Sequence, residues 1–167
     1  MNIYILRHGI AVERGTPDYH KDSDRPLTPK GRRKLRRIAS AMKALDLQFD
    51  LILTSPYARA LQTAESIAAA LKSQEQLKLS ASLEPAGQPN ELIDSINLSD
   101  PPVENVLLVG HEPDLSSLIS LLVTGNSNAP ITMKKGGLCK LSAIELRYGQ
   151  CASLEWLLTP KQMELMA

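Results

Sequence analysis

Arg7-His8-Gly9, Arg59 and Gly110-His111 are the parts of this chain best suited by residue type to handling a phosphoryl group. A neutral imidazole can attack phosphorus, and a neighbouring guanidinium can hold phosphoryl oxygens in a fork while offsetting their charge. Arg7-His8 follows the apolar run Ile3–Leu6, and Gly9 is expected to let the backbone turn and approach an anion closely. Arg59 lies in Thr54-Ser55-Pro56-Tyr57-Ala58-Arg59-Ala60-Leu61-Gln62-Thr63-Ala64, a strand end followed by a helix start. A cation in the first turns of a helix opposes the macrodipole unless an anion joins it, and helix N-termini are ready phosphate sites. His111 follows Leu107-Leu108-Val109-Gly110 and precedes Glu112-Pro113-Asp114, again between a strand and a helix start. Taken singly, each piece has a plainer reading: a surface charge for Arg7 or Arg59, a locally hydrogen-bonded His8, a capping or core His111. Of the three histidines, His20 alone falls in a polar stretch away from a strand end.

The elements that must position these residues are legible as periodicity. Apolar, β-rich runs recur at Ile3–Leu6, Leu51–Leu53, Val106–Val109 and Leu138–Ala143, with helical patterns between the first members. That alternation predicts an α/β domain with a largely parallel sheet, and ligands in such sheets sit at the carboxyl ends of strands. Thr28-Pro29 and Ser55-Pro56 each set a hydroxyl before a proline, which predicts helices beginning at Pro29 and Pro56. The first carries Leu35, Ile38, Ala39, Met42 and Leu45 at helical spacing, and the second Leu61, Ala64, Ile67, Ala68 and Leu71. A third helix is expected to open at Pro113 or Asp114 and to stop near Gly125. Leu83–Pro89 and Ser99–Pro102 read as turn-rich loops.

Composition bounds the rest. With 167 residues, 43% of them hydrophobic and 22% charged, one globular domain spanning residues 1–167 is expected. A net charge of +1 gives no reason to expect a polyanion binder, so no nucleic-acid partner is expected and any basic character must be local. No run is long and apolar enough to span a bilayer, and Met1–Leu6 lacks the features of a secretory signal; no membrane role and a cytoplasmic location are expected. Cys139 and Cys151 are read as reduced, structurally incidental thiols. No His and carboxylate cluster has metal-ligand spacing, so neither a metal nor another cofactor is called for.

Arg-His-Gly after the first strand, Ser-Pro-x-x-Arg-Ala-x-Gln-Thr after a middle strand and Gly-His after a later one are together far more specific than any one alone. From Met1 to about Ala143 this set resembles the histidine phosphatase superfamily. Asp24-Arg25-Pro26-Leu27-Thr28 and Lys135-Gly136-Gly137-Leu138, with the short chain, look most like its SixA-type phosphohistidine phosphatases. The resemblance implies a three-layer α/β/α, phosphoglycerate mutase-like fold with a mostly parallel central sheet flanked by helices. It implies His8 as nucleophile and Arg7, Arg59 and His111 as phosphate ligands; Arg25, beside the basic run, and Glu84, in a turn-rich loop, are expected to bind substrate. Ile10 to Arg14 depart from the Arg-His-Gly-Glu continuation of mutase-like chains, which weakens a sugar-phosphate reading. The proton donor is open between Glu84, in the loop where relatives with an acid carry it, and Glu112 beside His111.

The expected activity is a metal-independent phosphatase acting through a phosphohistidine intermediate on the phosphohistidine of a protein, a histidine-containing phosphotransfer domain, as a monomer. Weak acid machinery favours that substrate, because a phosphoramidate leaving as imidazole needs less proton help than an alkoxide. The alternatives are a small-molecule phosphomonoesterase and a phosphate-binding module without turnover. Six Lys and Arg residues within Lys30–Arg37 read either as a solvated helix face or, with Arg25, as a surface steering an acidic protein.

Overall fold

The computed structural model describes all 167 residues, Met1–Ala167. Six strands, β1 Asn2–Arg7, β2 Leu51–Thr54, β3 Leu77–Leu79, β4 Asn105–Gly110, β5 Leu138–Ala143 and β6 Ala152–Leu158, form one sheet in the order β3-β2-β4-β1-β5-β6. The four strands from β3 to β1 are parallel. The central ones are apolar on both faces, as strands covered on both sides must be. Ile3, Ile5, Val106 and Leu108 point into one core, with Leu92 and Ile96 of α3 (Pro89–Asn97) and Leu115, Leu118 and Ile119 of α4 (Asp114–Thr124). Tyr4, Leu6, Leu107 and Val109 point into the other. There they meet Leu35, Ile38 and Met42 of α1 (Pro29–Ala44), Ala64 and Ile67 of α2 (Ala58–Leu71) and Met163 of α5 (Pro160–Glu164). The result is the three-layer α/β/α arrangement expected.

Several local expectations are corrected. The helix expected at Pro56 starts at Ala58, with Tyr57 as a cap residue that makes no side-chain cap. Ser55 is therefore not an N-cap; its hydroxyl accepts from Tyr57 N–H and serves the site instead. Thr28 does cap α1, accepting from Gly31 N–H, and α4 ends at Gly125, which adopts a φ of 82°. The run Leu138–Ala143 is a strand but pairs antiparallel with β1. The reason lies upstream: residues 125–137 return the chain to the carboxyl edge of the sheet, so β5 starts where β1 ends. Two strands and two helices left no clear periodic signal. β3 has three residues, α5 has five, and β6 is exposed over Ser153–Glu155. Helix α3 opens at Pro89, the last residue of the expected Leu83–Pro89 loop.

No helix is long and apolar enough to cross a membrane. Cys139 is buried in the first core, where burial pushes its thiol up to about 12, and Cys151 donates to the Arg147 carbonyl.

Candidate active site

Arg7 and Gly110 are register partners at the carboxyl ends of β1 and β4, so His8 and His111 leave the sheet side by side. Their rings lie 5.2 Å apart between centroids. Both are buried, His8 at 7% and His111 at 3% exposure, and Arg59 on the first turn of α2 is at 3%. The structure thus brings together the four residues singled out from sequence: Arg7, His8, Arg59 and His111.

Hydrogen bonding orients each ring. His8 Nδ1 is 2.7 Å from the Gly9 carbonyl oxygen, which can only accept, so the neutral ring carries its proton on Nδ1 and keeps a lone pair on Nε2. Arg59 Nε donates to that Nε2 at 3.3 Å. Burial is the largest effect and pushes His8 down to about 3; the Gly9 carbonyl opposes it, and His111, Arg59 and Arg7 each add a smaller lowering. Burial and the Arg59 charge likewise lower His111 to about 4. At neutral pH both rings are uncharged, which is the nucleophilic form. His111 Nε2 is 2.8 Å from Ser55 Oγ, while its Nδ1 is buried without a protein partner. Arg7 donates from Nη1 to the Met133 carbonyl at 2.7 Å, and its buried Nε also lacks a partner. Buried polar atoms are rarely left so, and these two are the donors of the cluster that no protein group uses.

The positioning residues were missed by sequence reasoning. Asp22, in a 3-10 turn over Asp22–Asp24, grips Arg59 twice, accepting from Nη1 at its carbonyl (2.7 Å) and from Nη2 at Oδ2 (2.9 Å). Its other carboxylate oxygen accepts from Arg25 Nη2 at 2.7 Å and from Arg14 at 3.0 Å. Burial alone would raise this carboxyl, but the hydrogen bonds and charges of Arg25 and Arg59 outweigh it and hold it at about 2, so Asp22 is no proton donor. Thr63 Oγ1 accepts from Gly9 N–H at 3.0 Å and donates to the Arg59 carbonyl, and Gln62 accepts from Leu27 N–H. Of the Gln-Thr pair of the motif, Thr63 therefore ties α2 to the turn after β1, and Gln62 ties it to the segment before α1. Tyr57 walls the site, its ring 5.2 Å from both His111 and the Arg59 guanidinium.

Three expectations change in detail. Gly9 has a packing role beyond the turn expected of it: a Cβ there would meet Leu35 Cδ1 at 3.0 Å and Leu27 Cδ2 at 3.1 Å, under α1. Arg25 is spent on Asp22 and the Val12 carbonyl and reaches the cage only through Asp22. Glu84 follows a 3-10 turn over Ala81–Leu83; its carboxylate makes no hydrogen bond or ion pair, although neighbouring Pro85 and His20 line an open groove of about 500 Å³ over Asp22 and Tyr57. Glu112 accepts from Ser116 N–H at 3.0 Å at the start of α4, and its charge supports that of Arg7 against the cost of burial. No three His, Cys, Asp or Glu side chains converge in a metal-binding arrangement.

The family model of the histidine phosphatase superfamily (branch 1) matches residues 3–84, which hold Arg7, His8 and Arg59. The chain belongs to that superfamily. It is 25% identical over 166 residues to the phosphohistidine phosphatase SixA of Escherichia coli K12, covering 99% of this chain and 98% of that one. It superposes on the structure of protein histidine phosphatase SixA complexed with tungstate with a TM-score of 0.82 and 26% identity, over 96% and 98% of the two chains. An uncharacterized protein of Picosynechococcus sp. PCC 7002 is 37% identical over 142 residues, 84% of each chain. The fold is the phosphoglycerate mutase-like one that the resemblance implied, and the protein is a phosphatase of this superfamily.

Proposed function

We propose that the protein dephosphorylates phosphohistidine on a protein, in the cytoplasm, through a phosphorylated His8. The observation that carries the chemistry is the forward-facing His8 Nε2, unprotonated and 3.3 Å from Arg59 Nε. That lone pair attacks phosphorus in line, the bond from phosphorus to the substrate imidazole breaks, and the imidazole takes a proton from solvent. Water then attacks phospho-His8, the bond to Nε2 breaks, the water's proton returns to solvent or stays on the phosphate, and inorganic phosphate leaves. Arg7 and Arg59 offset the charge on the equatorial oxygens, the work that Mg²⁺ does in many phosphoryl-transfer sites. With the Ser55 hydroxyl donating to Nε2 of His111, the His111 proton sits on the partnerless Nδ1 and serves the same oxygens.

Two things support phosphohistidine over a phosphoester. No carboxylic acid is held against His8: Glu84 is unanchored, Glu112 is engaged at a helix start and Asp22 sits at about 2. An alkoxide leaving group would need such an acid, and an imidazole needs it less. The chain is also similar over nearly its whole length to a phosphohistidine phosphatase.

The test is the ratio of kcat/KM on a phosphorylated histidine-containing phosphotransfer domain to that on a panel of sugar phosphates, with acid-labile ³²P trapping on His8 in excess EDTA. Preference for the protein and a label on His8 are expected. Preference for a sugar phosphate would make the enzyme a small-molecule phosphomonoesterase. Loss of labelling in EDTA, restored by Mg²⁺ or Zn²⁺, would end the metal-independent mechanism.

A further inference from the structure

Met133–Gly137, the segment before β5, is fastened to the end of β1 that carries the cage. Gly136 N–H donates to the Arg7 carbonyl at 3.0 Å, Arg7 N–H donates to the Gly137 carbonyl at 3.1 Å, and Gly137 N–H closes the turn on the Lys134 carbonyl at 2.7 Å. Gly136 has a φ of 81°, and a Cβ there would lie 2.7 Å from Ile38 Cδ1, so this tight path over α1 requires glycine. The turn therefore does two things: it offers the Met133 carbonyl to Arg7, and it plants Lys134 and Lys135 beside the cage. Opposite them stands Lys161, on a helix start fixed by the Thr159 and Gln162 capping box, and Lys34 of α1 completes the set.

Together with Arg7 these four lysines line an open groove of about 600 Å³. No carboxylate lines it, although the whole chain carries a net charge of only +1. Lys34 alone is paired, to Glu164 at 3.4 Å; Lys134, Lys135 and Lys161 make no ion pair and are exposed. Such a concentration of one sign repels itself and raises the local potential beside the phosphoryl cage. The basic run on α1 is less available than its sequence implies. Arg32 donates to Gln62, Arg37 meets Glu164, and Arg25 is turned onto Asp22.

We propose that the Lys34–Lys134–Lys135–Lys161 groove docks acidic residues that flank the phosphohistidine of a protein substrate, which rests on the function proposed above. Arg7 lines the groove and also belongs to the cage, so carboxylates held there and a phosphoimidazole at His8 belong to one partner surface. Ammonium groups on flexible stems suit carboxylates whose positions vary. No aromatic side chain lines the groove, and without a stacking platform single-stranded nucleic acid is poorly served.

The experiment compares two phosphohistidine peptides of equal length, one with Glu and one with Gln around the phosphohistidine, and p-nitrophenyl phosphate as a small substrate. The wild type is expected to favour the Glu peptide by about tenfold in kcat/KM at low salt, with the preference shrinking at high salt. In Lys134→Gln/Lys135→Gln/Lys161→Gln the Glu-over-Gln preference should vanish, and in the corresponding triple Glu variant it should reverse, with each peptide rate taken relative to the p-nitrophenyl phosphate rate of the same variant so that a general change in potential at the cage cancels. Equal rates on the two peptides in the wild type, or an undiminished preference in the variants, would remove the groove from recognition and leave the proposed function standing. Failure to hydrolyse either peptide while p-nitrophenyl phosphate is turned over would overturn the phosphohistidine reading, and the docking proposal with it.

Discussion

The ends of β1 and β4 carry the same residue type at matched register, yet they hold it in opposite ways. At β1 the ring is pinned through Nδ1 by the Gly9 carbonyl and presents Nε2 to Arg59. At β4 the ring is pinned through Nε2 by Ser55 and leaves Nδ1 without a partner. Residue type and strand position do not decide which ring suits the proposed nucleophile and which the proposed electrostatic helper; the hydrogen bond on the far side of each ring does. A carbonyl can only accept and so creates a lone pair across the ring, whereas a hydroxyl can donate and so leave the proton facing the substrate.

If that comparison is right, the two histidines are unequal under substitution. His8→Ala should lower kcat by about 10⁴-fold or more while the protein stays folded, because it removes the proposed nucleophile. Folded His8→Ala protein with substantial activity in a phosphate-release assay would break the asymmetry outright. His111→Ala should cost less, about 10²- to 10³-fold, as expected for losing one donor to the transition state, and should still form the labelled His8 intermediate. Loss of the label in that variant would make His111 more than a helper. Ser55→Ala sharpens the contrast further. It leaves both histidines in place but frees the His111 ring, so kcat should fall by about tenfold with KM little changed.

The smallest effect is on stability. Both histidines titrate far below their ordinary value of 6.5, at about 3 for His8 and about 4 for His111. Between pH 6.5 and about 4 the unfolded chain therefore binds protons that the native chain does not, and stability falls as pH falls through that window. Urea unfolding at pH 7 and pH 5 should show this loss in the wild type and a shallower one in His8→Ala and His111→Ala. The Asp22 carboxyl, held at about 2, contributes stability above its ordinary 3.8 that is lost only at lower pH, so the two contributions separate. Parallel pH slopes in wild type and both variants would show that the rings are not held neutral by burial.

By itself the sequence determined the apolar strands β1, β2 and β4, the start of α1, both ends of α4 and the strand-end or helix-start positions of the four residues of the cage. These are written in local terms: both-face apolar runs, a Thr-Pro cap, a glycine stop and short motifs at strand ends. Strands β3 and β6 and helix α5 were illegible because short or half-exposed elements leave no period to read. The direction of β5 was also illegible, since it depends on where an irregular connection brings the chain back. Only the tertiary structure decided that Asp22 grips Arg59, that Ser55 holds His111 rather than capping a helix, and that Gly9 serves packing. Each of these rests on one or two contacts between residues well separated in sequence, made by common residue types with no periodic signature. Its energy exists only once the sheet and α2 have placed the two partners within about 3 Å of each other.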